Sequence, residues 1–177
     1  MIRFYLVVIF GLLSSVGNAV EVAFFTFRKP DGTVLELEPR GKFAHVAIRV
    51  GSQWMHAHPY RGVDFVDRLS QIGHEWTVLA NDNVQPLSLM NVARFTKLKY
   101  DSRFRWEAED STYCSKLVGQ ILKIDPLPAA FEVQAWDHLR TEQREGSLGL
   151  SPDDLFTILK KRGFKDESPR TCEGLFR

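Results

Sequence analysis

Residues 43–58, with the sequence FAHVAIRVGSQWMHAH, decide the fold. Ala44, Val46 and the next two alternate residues are apolar, and the positions between them include His45 and Arg49. This period-two alternation is typical of a half-buried strand. Gly51 and the serine after it then form a tight turn, so residues 53–58 are expected to return as the second strand of a hairpin.

The turn sets the pairing of the two strands. If residues 51 and 52 form the loop, Val50 pairs with Gln53, and the same count sets Ala47 opposite His56 and His45 opposite the last residue of the hairpin. A shift of one residue would move one strand's side chains to the other face. In this register all three histidines of the hairpin share one face: His45, His56 and His58.

The clearest helix is predicted from a cap at Ser111 or Thr112 to about Lys123, where Asp125-Pro126 ends it. Its first turn holds Cys114, on the same side as the apolar stripe of the helix. A second helix is predicted from the cap Ser151, with proline at its first position, to residue 163. Further strands are expected at residues 63–66 and 76–80, a helix at 87–98 and a structured loop at 99–110.

A helix start favours a thiolate, because its free N–H groups and partial positive charge stabilise an anion. The same N–H groups can stabilise the oxyanion that forms when an acyl carbon is attacked. An imidazole must take the thiol proton, and a third polar group must orient that imidazole. Cys114, His45 and His56 satisfy these three requirements, and we therefore predict them as nucleophile, base and orienting residue.

Two other interpretations use the same residues. Cys114 and Cys172 are the only two cysteines, and in an oxidising compartment they would form a disulfide in a non-catalytic binding domain. His45, His56 and His58 would alternatively form a three-histidine zinc site. The two remaining histidines, His74 and His138, lie in polar surroundings and are expected at the surface.

The composition restricts the partners but does not identify them. A net charge of +1 provides no basic field for nucleic acid and no acidic tail. Nothing in the sequence implies an organic cofactor, and the oligomeric state is left open. The substrate must therefore be inferred from the site.

The N-terminal residues have the pattern of an export signal. Arg3 precedes the apolar stretch 4–13, and a small-x-small site ends at Ala19. The apolar stretch is shorter than the ~20 residues that span a bilayer. We predict a signal peptide at 1–19, a single domain at 20–177, a periplasmic or secreted location, and no stable membrane span after cleavage.

Several motifs resemble one family of enzymes. Residues 43–51 followed by 54–57 resemble the histidine hairpin of NlpC-type cell-wall peptidases and of lecithin:retinol acyltransferase-like proteins. In ordinary NlpC-type enzymes the cysteine helix precedes the hairpin, whereas here it follows. This order resembles the circularly permuted branch, the YiiX-like papain-fold amidases, and so do residues 100–104 (YDSRF), 113–118 (YCSKLV) and 151–155 (SPDDL).

The resemblance covers roughly residues 42–159, with Lys116 at a position where the branch has glutamate. It implies an α+β, papain-like fold in which an antiparallel sheet or small barrel packs against the nucleophile helix. It also implies an exported cysteine peptidase or amidase that uses Cys114, His45 and His56 to cleave an amide bond, first of all in cell-wall peptides. Lipid acyl hydrolysis or acyl transfer with the same three residues is the alternative.

Overall fold

Six antiparallel strands form the main sheet of the computed structural model, which describes residues 19–38, 40–128 and 148–167. Their order across the sheet is β10-β5-β1-β2-β3-β4. Two short strand pairs, β6 with β7 and β8 with β9, lie outside this sheet. The strands are β1 (Val20–Thr26), β2 (His45–Val50), β3 (Gln53–His58), β4 (Gly62–Val66), β5 (Glu75–Asn81), β6 (Lys99–Tyr100), β7 (Ser111–Thr112), β8 (Leu127–Pro128), β9 (Leu148–Gly149) and β10 (Lys165–Glu167).

The predicted hairpin is present, and its turn sets the register as expected. Val50 pairs with Gln53, and Gly51 takes the positive φ of 60° that such a turn favours in glycine. The ladder between β2 and β3 ends at the pair Ile48 and Met55. The predicted opposition of Ala47 to His56 and of His45 to His58 continues this register beyond the end of the ladder.

The helices are shorter than the sequence predicts. They are α1 (Leu89–Val92), α2 (Cys114–Ile121) and α3 (Pro152–Lys161). The predicted helix at 87–98 is reduced to α1 and a 3-10 turn, Ala93–Phe95. Helix α2 starts after Tyr113 rather than at a serine or threonine cap, because Ser111–Thr112 pair as β7 with β6.

Helix α3 begins as its sequence predicts. The Ser151 hydroxyl accepts a hydrogen bond from the Asp154 amide at 2.9 Å, and Pro152 occupies the first helical position. Acidic residues in the first turn and Lys160 and Lys161 in the last turn complement the helix dipole. Local sequence signals are sufficient for this element.

The sheet is covered on both faces. One face packs against α2 and α3, and its core includes Phe24, Val46, Ile48, Met55, Leu117, Val118, Leu155 and Leu159. The other face carries a smaller cluster: Ala23, Phe25, Ala47, Trp54 and Val66. The protein therefore has an α+β fold with a mostly antiparallel sheet, in agreement with the predicted class.

Candidate functional site

Two of the three predicted site residues are in direct contact. His45 is the first residue of β2 and His56 lies in β3, and both side chains are buried. The His45 Nε2 and His56 Nδ1 atoms are 3.0 Å apart. This is a hydrogen bond in which one nitrogen donates and the other accepts. The neighbouring rings of Phe25 and Phe27 border His45 and exclude water from it.

The third histidine of the hairpin, His58, is half-buried beside His56. The His58 ring lies 5.9 Å from the His56 ring between centroids, and its Nδ1 accepts a hydrogen bond from the Tyr60 amide. Within the part of the chain that the structure describes, no group of three or more histidine, cysteine, aspartate or glutamate side chains is placed to hold a metal ion. These donors therefore do not fit the alternative three-histidine zinc site, since one ring nitrogen of His45 and one of His56 are hydrogen-bonded to each other.

Cys114 is the first residue of α2, as predicted for the nucleophile, and it is a buried, free thiol. The backbone amides of Val46 and Ser115 interact with its sulfur in the sense that favours a thiolate. Val46 directly follows His45, so the sulfur lies against the strand that carries the predicted base. It does so at the end where the β2–β3 ladder has stopped.

No hydrogen bond joins Cys114 to His45 among the described residues. The sulfur packs with the core on the helix side of the sheet, whereas His45 is paired with Phe25 of the other cluster. Catalytic hydrogen bonds are often long in ligand-free structures and shorten when substrate binds. The structure therefore places Cys114, His45 and His56 at one end of the hairpin. Of these three, only the two histidines are joined by a hydrogen bond.

Burial shifts the pKa values of the thiol and of the predicted base. It raises the pKa of the Cys114 thiol to about 11, although the amides of Val46 and Ser115 act in the opposite direction. Burial, followed by the neighbouring His56 and His58, lowers the pKa of His45 to about 3. At neutral pH the resting site therefore holds a neutral thiol and a neutral imidazole. The helix start does not produce the resting thiolate expected from the sequence.

Leu150, between β9 and α3, fixes the first turn of α2. Its amide donates a hydrogen bond to the Tyr113 hydroxyl at 3.1 Å, and its carbonyl accepts one from the Ser115 hydroxyl at 2.6 Å. Tyr113 and Ser115 flank Cys114 in the sequence. The two hydrogen bonds therefore hold the residue on each side of the thiol.

Helix α3 also holds the segment that leads into β2. The Asp153 carboxylate accepts hydrogen bonds from the amides of Lys42 at 2.9 Å and Phe43 at 3.1 Å. Partial burial raises the pKa of Asp153, and these two amides counteract the rise. His45 follows this anchored segment by two residues, so α3 contributes to the position of the predicted base.

Two polar residues near the site were not predicted to be buried. Lys116, in α2, is 0% exposed, and its ammonium donates to the carbonyls of Arg105, Ala108 and Ser111. Asp101 is 3% exposed and accepts hydrogen bonds from the amides of Arg103 and Arg105. The loop backbone offers polar partners to both buried charges.

Tyr100 is a further side chain near the thiol. Burial raises the pKa of its hydroxyl, and the electrostatic influence of Cys114 raises it further. The sequence showed it only as part of the motif at 100–104.

Several sequence predictions lie outside the described residues. They include Cys172, His138 and residues 1–18 of the predicted signal peptide. His74 is exposed, as expected. Within residues 19–38, 40–128 and 148–167, no helix has the length and apolar composition needed to cross a bilayer.

Comparisons with known proteins find one informative likeness. No family model matches the chain, and no curated protein matches it. A solved structure described as that of the metalloprotein yiiX from Escherichia coli O157:H7, DUF1105, matches with a TM-score of 0.59 and 15% sequence identity. The match covers 85% of this chain and 96% of that chain. The chain therefore has a fold similar to that of yiiX.

Proposed function

We propose that this chain is a papain-like cysteine hydrolase of the permuted NlpC type. Cys114 is the nucleophile, His45 is its general base, and His56 orients His45. The observation that carries the proposal is the buried 3.0 Å contact between His45 Nε2 and His56 Nδ1, one residue from the Val46 amide that contacts the sulfur. In this arrangement Nδ1 of His45 is the ring nitrogen left for the thiol proton.

The resting charges determine how the reaction starts. Because the thiol and the imidazole are both neutral, the proton moves from Cys114 to His45 as the sulfur attacks the acyl carbon. The amides at the start of α2 stabilise the oxyanion. The protonated His45 gives its proton to the leaving amine, and a thioester remains on Cys114. Water then hydrolyses the thioester to a carboxylic acid and the free thiol.

For the substrate, we propose an amide bond of cell-wall peptides, and for the location, export through a signal peptide at residues 1–19. Both rest on the sequence motifs and the apolar N-terminal stretch. The similarity to yiiX supports the fold on which the motifs are placed. The same three residues would also cleave a lipid acyl bond, and the test below includes that substrate.

The test uses purified protein with peptidoglycan fragments and, separately, with phospholipid vesicles. We expect the wild type to release new amino groups from peptidoglycan, and the Cys114→Ala variant to lose activity by about 100-fold or more while remaining folded. His74→Asn, which changes an exposed histidine, is the matched control and should retain full activity. Full activity in Cys114→Ala would refute the mechanism, and release of fatty acid alone would reassign the substrate.

A non-catalytic domain with a Cys114–Cys172 disulfide predicts a different result in a simpler assay. Titration of the unreduced protein would then find no reactive thiol. Among the described residues, Cys114 is a free thiol. The proposed enzyme predicts that titration of the unfolded, unreduced protein counts two thiols.

A further inference from the structure

The hydrogen bond between His45 and His56 leaves one nitrogen without a partner. His56 is 3% exposed, and its Nε2 is a buried polar atom with no hydrogen-bond partner in the described structure. Such atoms are rare in folded proteins because each loses its water without a replacement. The atom therefore requires an explanation, especially in a site where the proton positions matter.

The proton positions on the two rings determine what this nitrogen needs. For His45 to receive a proton at Nδ1, its Nε2 must carry hydrogen and donate it to Nδ1 of His56. A neutral His56 that accepts at Nδ1 carries its own hydrogen at Nε2. The unpartnered atom is then a buried N–H donor, and an acceptor there would fix both rings in the form that the reaction requires.

Asp64 is the carboxylate that the β3–β4 ladder sets beside His56. It lies directly opposite His56 in the β3–β4 ladder, so the two side chains share a face of the sheet. His56 Nδ1 faces β2, and the other ring nitrogen points in a different direction, away from β2. Asp64 Oδ2 binds Arg61 Nη2 at 2.6 Å, an ion pair in which Arg61 is 58% exposed. Its second oxygen has no hydrogen bond among the described residues.

We propose that Asp64 is a positioning residue that accepts the Nε2–H of His56 through a small rotation of its side chain. The chain of contacts then runs from Cys114 through His45 and His56 to Asp64. Arg61 competes for the carboxylate, but an ion pair this exposed is weak. The catalytic importance of this hydrogen bond rests on the proposed function, whereas its existence does not.

The charges around His56 are consistent with this role. Burial is the main effect that lowers the pKa of His56, to about 4, and Asp64 acts against it. His58 and Arg61 are the other groups that act on His56, and both lower its pKa further. Asp64 is therefore the one negative charge among these neighbours.

The test observes the ring nitrogens directly by NMR of the full chain labelled with 15N-histidine. We expect His56 in the wild type to carry its proton on Nε2, with slow solvent exchange. Asp64→Ala should accelerate that exchange by about 10- to 100-fold, because this factor corresponds to the free energy of a hydrogen bond to a charged acceptor. Asp64→Asn retains an acceptor oxygen and should retain most of the protection.

Two further variants complete the test. Asp67→Ala removes an exposed carboxylate from the same region and should leave His56 unchanged. Arg61→Ala frees the carboxylate and should slow the exchange further, so it decides the matter if Asp64→Ala does not fold. Wild-type His56 protonated on Nδ1, or exchange that neither Asp64→Ala nor Arg61→Ala changes, would overturn the inference.

An activity measurement separates this inference from the proposed function. With a cleaved substrate, Asp64→Ala should lower kcat by about 10- to 100-fold with little change in KM, and Asp64→Asn should restore much of the loss. If the wild type cleaves nothing but the NMR results hold, the proposed function fails and the hydrogen bond stands. If cleavage depends on Cys114 but not on Asp64, the proposed function stands and the role of Asp64 as a positioning residue fails.

Discussion

Cys114, His45 and His56 are all buried, and burial disfavours the ionised form of each. The pKa of the thiol rises and the pKa values of both imidazoles fall, so all three groups are uncharged at neutral pH. The amides of Val46 and Ser115 are placed to stabilise the thiolate when it forms. In the proposed reaction, these amides would stabilise a charge that develops on the sulfur rather than one present at rest.

The same burial predicts a loss of stability in acid. The pKa values of His45 and His56 in the folded protein are about 3 and about 4, whereas an unfolded histidine titrates near 6.5. Below pH 6.5 the unfolded chain takes up protons that the folded chain refuses, so the stabilising effect is complete above that pH and is lost as pH falls toward 4. We expect the Tm of the wild type to fall steeply over this window.

Single substitutions measure this effect. His45→Asn removes one of the two buried groups and should make the fall of Tm between pH 6.5 and 4 shallower. His74→Asn removes an exposed histidine and should leave the slope unchanged. Equal slopes in all three proteins would show that His45 binds a proton as readily in the folded protein as in the unfolded chain.

At the scale of elements, the loop before α2 is held by the helix itself. The buried ammonium of Lys116 donates to three loop carbonyls, and the buried Asp101 accepts loop amides. Burial lowers the pKa of Lys116, and Asp101 is the first of the nearby charges that act against this. Lys116 and the loop therefore form one unit with the first turn of α2.

Replacing Lys116 should destabilise this unit. Lys116→Met keeps the length of the side chain but leaves three carbonyls unpaired, and we expect the free energy of unfolding to fall by about 3 kcal/mol. Lys116→Glu, the residue type that the resembled family has here, should cost more, because its carboxylate would face the same carbonyl oxygens. Urea denaturation measures both.

Lys97→Met provides the control for this series, because Lys97 is exposed and the chemical change is the same. It should change the free energy of unfolding by less than about 0.5 kcal/mol. If Lys116→Met is as stable as this control, the three hydrogen bonds do not contribute to stability.

The elements that follow local rules were predictable from the sequence. Helix α3 follows from Ser151 and Pro152, and the β2–β3 turn follows from Gly51 and the alternation before it. The start of α2 was not predictable from capping residues, because Ser111 and Thr112 pair with strand β6 instead. Where a tertiary contact competes with a local sequence signal such as a helix cap, the local signal alone does not predict where the element begins.

At the scale of the whole molecule, the sheet order brings distant parts of the sequence to one site. Strands β2 and β3 supply the histidines, α2 supplies the cysteine, and α3 anchors the segment before His45. The sequence predicts the three residues as the site, but their protonation depends on burial by the complete fold. The contact of Cys114 with the Val46 amide is likewise a product of topology.

The reactivity of Cys114 tests the central claim most directly. Intact full-length protein is treated with a small thiol alkylator at pH 7, and peptide mass spectrometry follows Cys114 and Cys172 in the same sample. We predict that His45→Asn slows modification of Cys114 by about 10-fold or more, because the imidazole takes the thiol proton, while Cys172 is unaffected. Equal rates at Cys114 in the wild type and in His45→Asn would contradict the account.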